Sequence, residues 1–212
     1  MSFSLLLPAA YLIGAFPTSY LCGRLHGADL RKKGSGNLGA TNVYRLFGLR
    51  SAMLVVTLDV AKGFFPVWFF PLWDGRTEGE WGLLYGFLAI SGHIWPIFTR
   101  FRGGKGVATA AGVLLALAPL AVLVGSLVWL GLALITRFAS LASLAAAALV
   151  PLVAWVAAAP PSTVLFALLL AFLVWMTHRP NIQRLLRHEE LRLGAPAPPL
   201  RGGRATERGE EG

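Results

Sequence analysis

Long apolar runs separated by short polar or basic segments set the plan of this chain. Leu5 to Gly23 is the first run, interrupted only by Pro8, Pro17 and small polar residues. Ala52 to Trp73, Trp81 to Phe98, Leu120 to Ile135, Ser140 to Ala159 and Ser162 to Thr177 follow, with a shorter run, Val107 to Ala118, just ahead of Pro119. At about 1.5 Å of rise per residue, helices of most of these lengths approach or exceed the roughly 30 Å of a bilayer's hydrocarbon core. Val107 to Ala118 would reach only about 18 Å. The pattern predicts an all-α integral membrane protein of seven transmembrane segments, the fourth short or re-entrant and packed against its neighbours.

Charge orients the runs. No Lys or Arg precedes the first run, and Arg24, Arg31, Lys32 and Lys33 follow it, which predicts an N-terminus outside and the first polar segment in the cytoplasm. A cleaved signal peptide is not expected, because the basic residues lie on the wrong side of the run. If Val107–Ala118 and Leu120–Ile135 were one kinked helix, Arg137 and the cluster Arg179, Arg184, Arg187 would fall outside. Two separate segments return every basic loop to one side. On that count Lys62 lies in the membrane, Arg76 alone lies outside, and the other seventeen of the nineteen Lys and Arg lie inside with the C-terminus. Residues 1–193 read as a single polytopic domain. From Gly194 the chain is Pro, Gly and charge with almost nothing to bury, so 194–212 reads as a disordered cytoplasmic tail.

Composition agrees and removes alternatives. With 56% hydrophobic and 14% charged residues over 212 positions, the chain has more apolar surface than a soluble domain of its size buries. The net charge of +9 sits in short loops between spans, where it reports topology and contact with anionic lipid rather than nucleic acid. A single cysteine, Cys22, excludes a disulfide framework and a cysteine metal site. Inside the second run, Asp59 and Lys62 stand at i,i+3, about 12 to 16 Å from its start, and can pair on a face turned toward other helices; the alternative is a functional ion site.

Three polar clusters then carry the candidate chemistry. Gly34-Ser-Gly-Asn-Leu-Gly-Ala-Thr-Asn-Val-Tyr-Arg45 follows the basic triplet Arg31 to Lys33. The second cluster is Gly92 to Thr109, with Gly103-Gly-Lys-Gly106 at its centre, and the third is His178-Arg-Pro-Asn-Ile-Gln-Arg184. Gly34-x-Gly-x-x-Gly39 imitates the dinucleotide fingerprint and Gly103 to Gly106 imitates part of a P-loop, but neither follows a strand and the second lacks a Ser or Thr after its Lys. The shared mechanism remains: backbone that approaches an anion closely, a Lys point charge, and an Arg that binds two oxygens. Each cluster also contains neutral donors (Ser35, Thr41 and Asn42; Thr109; Asn181), which loose attraction to lipid head groups would not require. His93 and His178 stand where a span meets a cluster, each a candidate proton acceptor or phosphate donor, with a structural capping role as the alternative for His93. Ser140 and Ser143, beyond Thr136-Arg137, are placed to join such a site or to bond to backbone carbonyls. No catalytic triad order, His-x-x-x-x-Asp box or metal-ligand set occurs. A phosphate or organic-anion transporter would place polar groups near the midplane, and a non-catalytic lipid-binding scaffold would not need ordered Gly, Asn and Thr.

With Ser35-Gly-Asn-Leu-Gly-Ala-Thr-Asn42, Gly92-His-x-x-Pro96, Phe101-x-Gly-Gly-Lys-Gly-Val-Ala-Thr109 and His178-Arg-x-Asn-Ile-x-Arg-Leu185 in view, the chain resembles the bacterial acyl-phosphate:glycerol-3-phosphate acyltransferases, the PlsY family. The resemblance spans the chain up to its tail and includes Asp59-x-x-Lys62-Gly63 and Arg137-x-x-Ser140. It departs where the family commonly has Gly before Glu and this chain has His188-Glu189. The resemblance implies an inner-membrane enzyme that moves an acyl group from acyl phosphate to the 1-position of sn-glycerol 3-phosphate, giving lysophosphatidate and phosphate, without cofactor, metal or obligate protein partner. It further implies that Ser35, Gly36, Asn37, Thr41, Asn42 and Arg45, then Gly103, Gly104 and Lys105, then His178 and Asn181 hold the two phosphates with help from Ser140 or Ser143. Lys105, His178 and His93 are the candidate catalytic groups.

Overall fold

The computed structural model describes residues 5–77 and 80–195. Of the expected disordered tail, all but Gly194 and Ala195 lies outside the described residues, as do two positions of the acidic loop that begins at Asp74.

Proline divides the first apolar run in two. α1 (Leu6–Ala15) ends at Phe16, which is extended at φ −55°, ψ 120°, as the residue before a proline tends to be, and α2 (Thr18–Leu25) starts after Pro17. The second run begins twelve residues earlier than its hydrophobicity suggests: α3 spans Ala40–Trp73 and is kinked at Gly48, whose φ of 80° no helical residue adopts. The first cluster is therefore not wholly a loop. Gly34 to Gly39 is irregular, and Ala40 to Arg45 are the opening turns of α3, because Gly39 in an extended conformation caps a stretch with no helix breaker before Gly48.

α4 (Trp81–Ile94) and the short 3-10 turn Ile97–Thr99 lead into α5 (Val107–Leu117), the expected short segment at 11 residues. α6 (Pro119–Thr136), α7 (Ala139–Val156), α8 (Pro161–Thr177) and α9 (Arg179–Leu186) complete the fold, α8 and α9 meeting at 58°. Proline begins α6 and α8, where its missing N–H has no helical partner to lose. Among the described residues, five helical segments are long and apolar enough to cross a membrane, six if α8 and α9 form one bent span, and α5 is too short by the same measure.

α1 packs on α4, α3 on α5 and α4, α6 on α7, and α7 on α8. Close approach depends on glycine: a Cβ at Gly63 would stand 2.2 Å from the Thr109 carbonyl oxygen, and one at Gly112 would stand 2.0 Å from that of Val60, so α3 and α5 touch backbone to backbone. The core centres on Val67, Ile90, Val113, Phe166 and Leu170, while Leu123, Leu127, Leu165 and Phe172 turn outward, an arrangement suited to lipid surroundings.

At the α1–α2 break, polar groups meet deep in the bundle. Lys62 Nζ lies 2.8 Å from Asp59 Oδ1 and donates to the Phe16 carbonyl at 3.1 Å, while Thr18 Oγ1 donates to the same Asp59 oxygen at 2.5 Å. Asp59 and Lys62 thus pair on one face turned to other helices, and Lys62 adds a second donor to the Phe16 carbonyl, which also accepts from the Thr18 N–H at 3.0 Å.

Candidate active site

A cavity of about 760 Å³ lies between α3, α5, α6, α7 and α8, with polar side chains gathered at one end and apolar ones along the rest. Local structure brings each cluster to that end by a different device. In the first, Asn42 is the organiser. Its Oδ1 accepts from the Ser35 N–H at 2.9 Å, and its Nδ2 lies 3.1 to 3.3 Å from the carbonyls of Leu30, Lys33 and Asn37. These bonds fold 34–39 over the start of α3, so Ser35, Thr41 and Arg45 line the cavity beside free N–H groups of the helix N-terminus, an arrangement that favours anions. Gly34, at φ 62°, must be glycine, since a Cβ there would meet Asn42 Oδ1 at 2.1 Å.

Gly103 and Gly104 of the second cluster do not line the cavity, whereas Gly106 does. Gly104 N–H donates to the His93 carbonyl at 3.1 Å and Gly103 N–H to that of Ile94 at 3.2 Å, laying this strand of chain across the end of α4. A Cβ at Gly103 would be 2.1 Å from the His93 oxygen, and one at Gly104 would be 2.3 Å from His93 Nε2. Gly103 and Gly104 position Lys105, which does reach the cavity, instead of cradling a ligand themselves. Gly36 likewise stays in the loop, and Thr109 is buried where α3 meets α5.

Lys105 Nζ donates to Asn181 Oδ1. The Thr177 hydroxyl donates to the Lys105 carbonyl at 3.0 Å, which ties the second cluster to the third. Burial pushes the Lys105 ammonium down to about 8; Glu190 opposes the shift, and Arg184 and Arg45 reinforce it. His178 Nδ1 lies 2.8 Å from the Val174 carbonyl, which can only accept, so this nitrogen carries the proton and Nε2 keeps the lone pair available to the cavity.

Sequence reasoning missed Glu190, which ties these groups together. Its Oε1 accepts from Ser140 Oγ at 2.8 Å and Asn181 Nδ2 at 2.6 Å, its Oε2 accepts from Arg184 Nε at 2.7 Å, and its side chain is 3% exposed. The neighbouring Glu189, the acidic residue on which sequence attention falls, is exposed. His188 occupies the family's glycine position at φ 58°, the left-handed conformation that explains a glycine preference there. The segment beyond is strapped across the site: Arg45 Nη2 donates to the Leu191 carbonyl at 2.9 Å and Arg137 Nη2 to that of Leu193 at 2.8 Å. The available signal was a Glu following the basic cluster that contains two of its partners, Asn181 and Arg184, but the third, Ser140, lies on α7.

Three cations, Arg45, Lys105 and Arg184, therefore face one carboxylate, leaving positive charge for a phosphate dianion. His93 and Ser143 also line the cavity but differ in availability. Ser143 Oγ donates to the Ala139 carbonyl at 2.8 Å and accepts from Trp129 Nε1 at 3.0 Å, whereas His93 Nδ1 is buried without a partner, 3.8 Å from Asp59 Oδ1. Among the described residues, no group of three His, Cys, Asp or Glu side chains is placed to hold a metal ion.

Comparison with known proteins gives this arrangement its setting. The family described as glycerol-3-phosphate acyltransferase matches residues 4–188. The chain belongs to this family. It is 44% identical over 191 residues to glycerol-3-phosphate acyltransferase 2 of Moorella thermoacetica, covering 90% of this chain and 97% of the relative. It is 42% identical to the glycerol-3-phosphate acyltransferase of Trichlorobacter lovleyi, with 89% and 96% covered. In three dimensions it is similar to the crystal structure of PlsY, an integral membrane glycerol 3-phosphate acyltransferase, in its glycerol 3-phosphate form, at a TM-score of 0.83 and 40% identity, covering 89% of this chain and 94% of PlsY. The lysophosphatidic acid form of PlsY matches at a TM-score of 0.81. This acyltransferase-family chain is accordingly an integral membrane protein whose cavity joins an end rich in cationic side chains to an apolar wall.

Proposed function

We propose that this protein transfers a fatty acyl group from acyl phosphate to the 1-position of sn-glycerol 3-phosphate, releasing phosphate and forming lysophosphatidate. The observation that carries this reading is the cavity itself: cations and neutral donors from three clusters converge at the end of an apolar enclosure, which suits two phosphates and one acyl chain. Arg45 with Ser35, Thr41 and the α3 N-terminus forms one anion-binding wall, and Lys105 with Asn181 and His178 forms the other. Ser140, held on Glu190, stands between them, and Asn37 lies at the rim.

Acyl phosphate is a mixed anhydride with an activated carbonyl, so the protein's work is to neutralise, orient and desolvate. The glycerol hydroxyl attacks the acyl carbon; a C–O bond forms, the acyl–phosphate bond breaks, and phosphate leaves with the bonding pair. The hydroxyl proton passes to the departing phosphate, with His178 Nε2, which accepts, and His93 as the protein groups within the site able to take it. The site lies on the cytoplasmic face of the inner membrane in a protein of seven segments, N-terminus outside, a reading supported by the strong bias of basic residues and by seven apolar helical segments of which α5 is short.

Purified protein given acyl phosphate and glycerol 3-phosphate releases phosphate in step with lysophosphatidate, and Lys105→Ala lowers kcat/KM at least about a hundredfold with the fold retained. Uptake of phosphate into liposomes without acyl transfer would replace this reading with a transporter.

A further inference from the structure

The far end of the cavity is closed, and what closes it is specific. From Ser140 at the polar end, α7 lines the cavity as far as Val150, ten residues or about 15 Å along the helix. α8 lines it from His178 back to Ala167, about 16 Å. Val122 of α6 and Val150 of α7 mark the limit. Behind them Ala118, Ala121 and Ala154, none of which lines the cavity, pack together at 8%, 1% and 0% exposure. A Cβ on Gly125 would lie 2.6 Å from Val150 Cγ2, so the absence of a side chain at 125 lets α6 close directly on Val150. Between this plug and the polar end, α7 presents Ala146 and Ala147, side chains small enough to leave room for a chain.

We propose that Val150, seated against Gly125 and backed by the Ala118–Ala121–Ala154 cluster, is the stop that sets the longest acyl chain this enzyme accepts. The proposal rests on the acyl-transfer reading above. A chain whose carbonyl is held at the Lys105–Ser140 end extends along α7, and its terminal methyl meets Val150. One methylene too many must displace packed side chains or turn sideways between α3 and α6, where Met53 and Leu130 both line the cavity and are 54% and 50% exposed.

The test uses full-length purified enzyme, glycerol 3-phosphate and a ladder of saturated acyl phosphates, with kcat/KM read at each length. Wild type shows a drop beyond one length. Ala147→Phe, a barrier about 4.5 Å nearer the polar end, moves the drop to shorter chains and lowers the ratio of long-chain to short-chain kcat/KM by ~10- to 200-fold, the scale of a methylene misfit. Val150→Ala moves the drop to longer chains, and Ala147→Leu serves the same comparison as Ala147→Phe should the aromatic variant fail to fold. Profiles that superimpose on wild type in all variants, or a uniform loss at every length, overturn the stop. A wild type inactive with every acyl phosphate overturns the acyl-transfer reading instead.

Discussion

Lys105 is held by two opposed demands. In the proposed site its ammonium joins Arg45 and Arg184 around a phosphate, yet burial and those neighbours push its pKa down to about 8. A bound phosphate dianion favours the ammonium, so ligand binding raises the value again. The sign follows: affinity for glycerol 3-phosphate is fully present below pH ~8 and declines above it, by up to about tenfold per pH unit, as the free enzyme loses the proton that the complex requires. KM measured across this range rises above pH ~8 in wild type, and Lys105→Arg, whose guanidinium stays charged, flattens the rise. Glu190 is the converse case. Glu190→Gln keeps the shape but turns an amide N–H toward Arg184 or toward Ser140 and Asn181, leaving a buried donor unpaired. A loss of about 1–3 kcal/mol in stability, read as a lower thermal midpoint, is expected.

Among the elements, the broken α1–α2 pair depends on α3 most. Pro17 ends α1, and the Phe16 carbonyl, bonded locally to the Thr18 N–H, gains Lys62 as a second donor from the neighbouring helix while Asp59 compensates its charge. Removing one member leaves the other as an uncompensated buried charge. Asp59→Asn is expected to cost about 3–5 kcal/mol, whereas the double variant Asp59→Asn/Lys62→Met recovers most of the loss, because a neutral pair carries no desolvation penalty. Urea or thermal unfolding of the three proteins in one detergent measures this. If the double variant were as unstable as the sum of the singles, the pairing account would be wrong. The pair and its i,i+3 spacing were legible in the sequence; the carbonyl at Phe16 was not, because only packing brings residues 16 and 62 together.

At the scale of the whole molecule, the cavity joins a charged end to a wall of small apolar side chains, and in the proposed reaction the acyl group passes directly from one substrate to the other. Ser143 and Ser140 at the polar end are engaged: Ser143 donates to the Ala139 carbonyl, and Ser140 donates to a Glu190 carboxylate that Asn181 and Arg184 also hold. Enzyme incubated with acyl phosphate radiolabelled in its acyl group and quenched before glycerol 3-phosphate is added is expected to carry no label on the protein. A labelled serine would require a two-step mechanism.

The alternation of apolar runs and basic loops by itself determined an all-helical membrane protein, a short α5, the three clusters and most of the cavity's polar residues, because helix length and charge are local properties that a bilayer reads directly. What only tertiary structure decided concerns relations between distant segments. The loop 34–39 lies over the start of α3 because Asn42 bonds to Ser35 and to the carbonyls of Leu30, Lys33 and Asn37. Gly103 and Gly104 serve the backbone of α4 rather than a ligand, since only packing reveals what a Cβ would meet. Glu190, not Glu189, enters the site because the segment after α9 turns back over Arg45 and Arg137. Neither that turn nor the closed end of the cavity at Val150 arises from any one segment's sequence, because each requires residues that approach only when the helices pack.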